Sequence, residues 1–230
     1  MRDLREDLEP TWRALARGPA PDQGGRVIMF VSALNGEGVT SMAASFAALA
    51  ARRSEKPVWL LDFDLKRNSV FKGFEQGFAS DVGHPGRAYD ASLRHPPIYA
   101  LSPARPDAKQ DKLLTAHEID GLPLMITRFR TERVAKDQSL SLSVSADWMR
   151  SLRKMTDWVI MDVPALERAP VALKLAAMTD AIVLVVQADR TRVREVERAR
   201  HSLASHGGCV VGAVLNQIGA DARLAGRFSA

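Results

Sequence analysis

The chain has 230 residues, of which 46% are hydrophobic and 26% are charged, and its formal net charge is +5. This composition is typical of a globular protein and excludes global disorder. The single cysteine, Cys209, excludes an intramolecular disulfide and a cysteine-based zinc cluster. The mildly basic balance is compatible with nucleotides, acidic partners or anionic lipid, and it selects none of them.

Residues 1–25 predict a helical segment followed by a linker. Apolar residues recur near helical spacing at Leu4, Leu8, Trp12 and Leu15, although Pro10 interrupts the pattern. The prolines and glycines of 18–25 then predict a turn or linker. The charged segment 1–10 does not resemble a signal peptide, and no apolar run reaches the ~20 residues of a membrane helix. We therefore expect a cytoplasmic protein.

Five short apolar runs predict buried strands, at 26–32, 58–62, 158–162, 181–186 and 209–215. Helices are predicted at about 40–53 and 192–206. Apolar runs that do not alternate in polarity, separated by helices, indicate a mostly parallel sheet with helices on both faces. The sequence thus predicts one α/β domain over 26–218, followed by a tail at 219–230. Such sheets bind ligands at the carboxyl ends of their strands.

The region 68–147 has the least regular pattern. Five prolines between His84 and Pro106 predict long loops, with a short strand at 98–101. The segment 139–145 alternates Ser with Leu and Val, which fits either an edge strand or a loop. The sequence leaves open whether this region is an insertion-like part of the domain or a lid.

A glycine-rich turn connects the first strand to the first long helix and reads S-A-L-N-G-E-G-V-T-S from Ser32 to Ser41. A strand, a glycine turn and a helix N-terminus direct several backbone N–H groups at one point, which suits a phosphate. Glycines at 36 and 38 permit positive φ and close approach to an anion. The predicted nucleotide-contacting residues of this loop are Asn35, Gly36, Glu37, Gly38, Val39, Thr40 and Ser41.

Acidic side chains follow two of the predicted strands. Asp62 ends the second strand, with Asp64 close behind it, and Asp162 ends a later one. Because the carboxyl ends of parallel strands meet at one edge, we predict a magnesium site formed by Thr40, Asp62 and Asp162. The last strand runs into Asn216, whose amide suits recognition of an adenine edge.

The order of these motifs resembles the bacterial tyrosine autokinases of exopolysaccharide assembly, within the ParA/MinD group of P-loop ATPases. In that family the loop reads approximately S-A-x-P-G-E-G-K-S-T, the second motif L-I-D-x-D-L-R and the third V-I-I-D-T-P-P. The matching segments are 32–41, 60–66 and 159–165. The resemblance covers roughly 26–70 and 148–218.

This resemblance implies a P-loop NTPase-like fold, ATP or ADP with Mg²⁺ as cofactor, and catalytic roles for Asp62 and Asp64. It also implies a membrane polysaccharide co-polymerase, or chain-length regulator, as the partner. With such a partner we expect a peripheral location at the inner face of the membrane and a homo-oligomer. The basic stretches 121–154 and 190–200 would then contact acidic partner loops or anionic lipid.

Two departures from the family pattern argue against kinase activity. Val39 stands at the position of the loop lysine and supplies neither charge nor donor to the β/γ-phosphates. The autokinases phosphorylate a tyrosine-rich tail, whereas this sequence contains only Tyr89 and Tyr99. We therefore expect a catalytically impaired relative with weak or lost nucleotide binding. Its expected role is that of a regulator or scaffold in exopolysaccharide biosynthesis and export.

Two alternative functions stay open. A working ParA/MinD-type ATPase would need Lys66 or a partner's residue to replace the lost lysine. A basic module that binds membrane or DNA surfaces would use the arginines of 190–200 or the basic stretch 121–154. No aromatic residues interleave with those arginines, so nucleic acid is not an expected partner. Magnesium-dependent turnover favours the first alternative, and salt-sensitive lipid or DNA binding without nucleotide favours the second.

Overall fold

A computed structural model describes residues 1–18, 21, 24–104 and 112–218. The predicted tail 219–230 and part of the predicted linker lie outside these residues. The helices are α1 (Glu9–Arg17), α2 (Val39–Ala51), α3 (Ser69–Glu75), α4 (Ala146–Met155), α5 (Val171–Leu175) and α6 (Val193–Ser205), with short 3-10 helices at Thr131–Arg133 and Ala176–Met178. The strands are β1 (Arg26–Ser32), β2 (Val58–Asp62), β3 (Pro85–Asp90), β4 (Tyr99–Ser102), β5 (Leu114–Ile119), β6 (Leu122–Phe129), β7 (Ser139–Leu142), β8 (Trp158–Asp162), β9 (Ala181–Gln187) and β10 (Val210–Asn216).

Eight strands form one sheet in the order β10-β9-β1-β8-β2-β6-β5-β3. The strands from β10 to β6 run parallel to one another, whereas β5 and β3 pair antiparallel at one edge. Strands β4 and β7 form a separate two-stranded sheet. The predicted α/β fold with a mostly parallel sheet is confirmed.

Helices cover both faces of the large sheet. One apolar cluster lies between the sheet and α1–α3 and contains Phe30 and Phe46, whose ring centroids are 5.3 Å apart. A second cluster lies between the sheet and α4–α6 and contains Trp148 and Leu203. Helix α2, rich in alanine, is buried along almost its whole length. The helix that follows the glycine-rich loop is therefore fixed against the sheet, which fixes the position of the loop.

The N-terminal segment contributes to the first cluster. Leu4 and Leu8 are 4% and 0% exposed, so residues that the sequence placed near helical spacing do pack into the core. Helix α1 begins at Glu9, with Pro10 in its first turn. A proline is tolerated there because its missing N–H has no partner inside the helix. In the described part of the chain, no helix is long and apolar enough to cross a bilayer.

The strands and long helices predicted outside 68–147 agree with the structure to within one or two residues. The region 68–147 contains α3 and β3 to β7, and the long loops predicted within 84–106 are reduced there by β3 and β4. The short strand predicted at 98–101 is β4, and its partner β7 lies within 139–145. Strands β5 and β6 are joined by Asp120 and Gly121, a pair typical of tight hairpins that the sequence analysis missed.

Candidate functional site

The glycine-rich loop connects β1 to α2 at the carboxyl edge of the parallel strands. Gly36 and Gly38 have φ angles of 85° and 90°, a region that glycine adopts without strain. A Cβ atom on Gly38 would lie 2.1 Å from Nδ2 of Asn216, so a larger residue would have to displace that side chain and adopt a strained φ. The loop has the positive φ values expected from the sequence, and α2 begins directly after it.

Glu37 holds the loop from its inner side. Its side chain is buried, and the carboxylate accepts hydrogen bonds from the backbone N–H groups of Leu34 and Gln187 at 2.8 and 2.9 Å. The hydroxyl of Thr191 donates to the same carboxylate. Three donors compensate the burial of this carboxylate. The side chain of Glu37 thus connects the loop to the end of β9 through hydrogen bonds.

Asn216 also holds the loop. Its Nδ2 donates to the carbonyl oxygen of Glu37 at 2.8 Å, and its Oδ1 accepts from the backbone N–H of Gln217 at 2.8 Å. The residue is 6% exposed. These contacts make Asn216 a positioning residue for the loop, and its recognition of an adenine edge stays a prediction.

A cavity of about 210 Å³ opens beside the loop. Small-molecule pockets commonly measure roughly 300–1,000 Å³, so this volume suits the phosphates of a nucleotide better than the whole molecule. The loop residues that the sequence predicted all line it, together with side chains from two other segments: Asn35, Gly36, Glu37, Gly38, Val39, Thr40, Ser41, Asp64, Arg67, Asp162 and Arg168. The hydroxyl oxygen of Ser41 accepts a hydrogen bond from the backbone N–H of Arg2 at 3.2 Å.

Asp62 and Asp162 end the neighbouring strands β2 and β8 and face each other in the register of the sheet. They are 3% and 4% exposed. The carboxylate of Asp62 accepts from the backbone N–H groups of Asp64 and Val70 at 2.8 and 3.0 Å, which shapes the turn after β2. Asp162 accepts a hydrogen bond from the hydroxyl of Thr40 and lines the cavity.

Burial raises the pKa of both carboxyl groups. Desolvation raises the pKa of Asp162 to about 7, with the charge of Asp64 acting in the same direction, while Thr40 and Arg168 lower it. Desolvation, with the charge of Asp162 second, raises the pKa of Asp62 well above its usual value. Neighbouring acids that resist ionisation in this way are stabilised as anions by a bound cation.

The residues at this edge fit a magnesium ion held together with a phosphate. Among the described residues, no three His, Cys, Asp or Glu side chains form a group that could hold a metal ion. Mg²⁺ commonly takes only one or two carboxylates from the protein, and water and substrate phosphates complete its shell. The hydroxyl of Thr40 and the carboxylates of Asp162 and Asp64 match that requirement. The predicted metal roles of Thr40, Asp62 and Asp162 stay predictions, and the carboxylate of Asp62 already accepts hydrogen bonds from the backbone.

Val39 is the first residue of α2 and is 9% exposed, packed in the first apolar cluster. It brings no positive charge to the cavity, whereas Arg67 and Arg168 line it. Lys66, which the sequence offered as a replacement for the lysine, is exposed and is not among the described residues that line the cavity. Sequence reasoning missed both arginines. For Arg67, the only sequence feature that indicates a place at the site is its position directly after the second motif. No sequence feature indicates this for Arg168.

Comparisons with known proteins agree with this geometry. No family model matches the chain. The sequence is similar to the tyrosine-protein kinase YwqD of Bacillus subtilis, with 25% identity over 219 residues, which cover 94% of this chain and 82% of that protein.

Solved structures show a similar fold. The kinase domain of VpsO has a TM-score of 0.60 and 18% identity over 94% of each chain. The MinC:MinD cell division protein complex of Aquifex aeolicus has a TM-score of 0.57 and 18% identity over 88% of this chain and 72% of that chain. These similarities support the resemblance inferred from the motifs, including the P-loop NTPase-like fold.

Proposed function

Because the chain is related to bacterial tyrosine kinases, we propose that it is a regulator or scaffold of exopolysaccharide biosynthesis and export that has lost kinase activity. The observation that carries this proposal is Val39, a buried apolar side chain at the position of the loop lysine. Relative to the family motifs, the site keeps the glycines of the loop, a hydroxyl at Thr40 and the acids around it. Such a site suits nucleotide binding without phosphoryl transfer, because the missing lysine acts on the β/γ-phosphates and the transition state.

The tyrosines of the sequence support the same proposal. The hydroxyl oxygen of Tyr99 accepts from the backbone N–H of Leu113 at 3.1 Å, and its ring packs edge-on against Phe129. Tyr89 lies in β3, with the guanidinium of Arg87 5.4 Å from its ring centroid. Both tyrosines lie in strands and neither belongs to a tyrosine-rich segment, although Tyr89, on the edge strand β3, is 41% exposed.

In the proposed role, the nucleotide is a ligand that stabilises one conformation. A magnesium ion and a phosphate at Thr40 and Asp162 would compensate the burial of charge at the ends of β2 and β8. A ligand that binds only the folded state stabilises that state. Nucleotide binding would therefore order this edge of the sheet, and with it the surface offered to a partner.

The proposed partner is a membrane polysaccharide co-polymerase, which would place the protein peripherally at the inner face of the membrane, as a homo-oligomer in contact with anionic lipid. Helix α6 offers a suitable surface. Arg194 and Arg198 are exposed on it, and Val193 at its start is 77% exposed. Basic and apolar groups on one surface suit acidic partner loops and lipid headgroups.

Deletion of the gene is expected to reduce surface polysaccharide, and the tagged protein is expected to co-purify with the co-polymerase from solubilised membranes. The double variant Arg194→Glu/Arg198→Glu should lose this co-purification, because it reverses the charge of the proposed surface. The exposed Glu118→Gln, in β5, is the matched control. Unchanged polysaccharide together with failed chromosome or plasmid segregation would contradict the proposal and favour a ParA/MinD-type ATPase.

A further inference from the structure

The segment after β8 brings a positive charge to the glycine-rich loop. We propose that Arg168 supplies the cation that the loop lacks at position 39, and that it binds the β- or γ-phosphate of a nucleotide. This inference rests on the proposed nucleotide site and concerns nucleotide binding alone: Arg168 lies outside the loop and is paired with Asp64, so it does not take over the lysine's role in the transition state.

The backbone of this segment is attached to the loop at successive residues. The N–H of Leu166 donates to the carbonyl of Ser32 at 3.0 Å, and the N–H of Glu167 donates to the carbonyl of Ala33 at 3.2 Å. The carboxylate of Glu167 in turn accepts from the backbone N–H of Asn35. These contacts fix the start of the Arg168 side chain relative to the loop, although the two segments are far apart in sequence.

The side chain of Arg168 lines the same cavity as Gly36, Gly38 and Thr40. Its Nη2 bonds with Oδ2 of Asp64 at 2.5 Å, and the two side chains are 30% and 15% exposed. A guanidinium carries five N–H donors in a planar fork, so an ion pair with one carboxylate leaves donors for a second anion. The cavity already holds the carboxyl groups of Asp64 and Asp162, which repel a phosphate unless a cation offsets them.

Other cations near the loop are less suited to this task. The Arg67 side chain is 59% exposed, with its Nε 3.9 Å from Asp64, so solvent and salt screen its charge more strongly. Arg190 donates to Oε1 of Gln187 at 3.0 Å. Lys66 is exposed and does not line the cavity. Arg168 is thus the better buried of the two arginines that line the cavity.

Titration of ADP and ATP with Mg²⁺ into the wild type, Arg168→Ala and the control Lys66→Ala tests this inference. Loss of one charge-assisted contact is expected to weaken binding by about ten-fold or more in Arg168→Ala, and Lys66→Ala should bind as the wild type does. Arg168→Gln, which keeps a donor for Asp64 and removes the charge, replaces the alanine variant if that variant unfolds. Val39→Lys should raise the affinity more in the Arg168 variant than in the wild type if both cations bind the same phosphate, whereas a purely structural role of Arg168 predicts the same gain in both proteins.

Unchanged affinity in the folded Arg168 variants, or a loss confined to Lys66→Ala, would overturn the inference and leave the proposed function standing. A gain from Val39→Lys that is no larger in the Arg168 variant than in the wild type would also overturn it. A wild type that binds neither ADP nor ATP would overturn the inference and the nucleotide part of the proposed function together.

Discussion

Replacement of Val39 by lysine is expected to strengthen ADP and ATP binding by about ten- to hundred-fold, because one charge-assisted contact is worth about 1.5–3 kcal/mol. Residue 39 both lines the cavity and borders the first apolar cluster. A lysine at this position can therefore pack its methylene stem against apolar neighbours while its ammonium group extends into the cavity.

Isothermal titration of ADP with Mg²⁺ measures the effect of Val39→Lys. Val39→Met is the matched control, since it lengthens the side chain and adds no charge, and it should leave the affinity near that of the wild type. Two folded variants with equal affinities would show that the loop no longer holds a phosphate in reach of residue 39, which contradicts the expected gain.

Asp162→Asn is expected to stabilise the metal-free protein at pH 8 by up to about 4 kcal/mol, from a pKa raised from 3.8 to about 7. In the folded state this carboxyl keeps its proton up to about pH 7, whereas in the unfolded chain it ionises near pH 4. Between these values the unfolded state binds fewer protons, so the stability of the wild type falls as the pH rises. The stability of the asparagine variant does not fall with pH for this reason, because residue 162 no longer ionises. The substitution also removes a negative charge beside Asp62.

Chemical denaturation in the presence of a chelator, at pH 5 and pH 8, measures this difference. The gain should be largest at pH 8 and should shrink as the pH falls towards 4. Glu118→Gln, a neutralised carboxyl on the surface, is the control and should change stability little at either pH. An Asp162→Asn protein that is no more stable than the wild type at pH 8 would show that ionisation of Asp162 beside Asp62 does not destabilise the fold.

The central strands β1, β2, β8 and β9 were predictable because they are buried along almost their whole length. Continuous apolar runs such as 26–32 and 158–162 have few other interpretations in a chain of this size, and β1 and β8 coincide with them. Strands β5 and β6 carry polar residues within their length, such as His117 and Thr127, and this weakened the signal. The parallel pairing of β6 with β2 joins residues far apart in sequence, which no local pattern reveals.

The site was predictable to the extent that it depends on local spacing. The glycines of the loop and the acids at the strand ends stand at fixed distances from apolar runs, and the structure brings Thr40, Asp64 and Asp162 to one cavity. The inward carboxylate of Glu37 and the approach of Arg168 depend on tertiary contacts between distant segments. No spacing rule anticipates such contacts.

The central claim, that this site lacks tyrosine kinase activity, is tested most directly by incubation of the purified wild type with Mg²⁺ and ATP labelled in its γ-phosphate. Phosphotyrosine is then detected on the protein, with Asp162→Asn as the control. We expect no label on tyrosine in either protein, because Val39 supplies no lysine charge to the transition state and the sequence has only two tyrosines, neither in a tyrosine-rich segment. Phosphotyrosine on the wild type that Asp162→Asn abolishes would contradict this account.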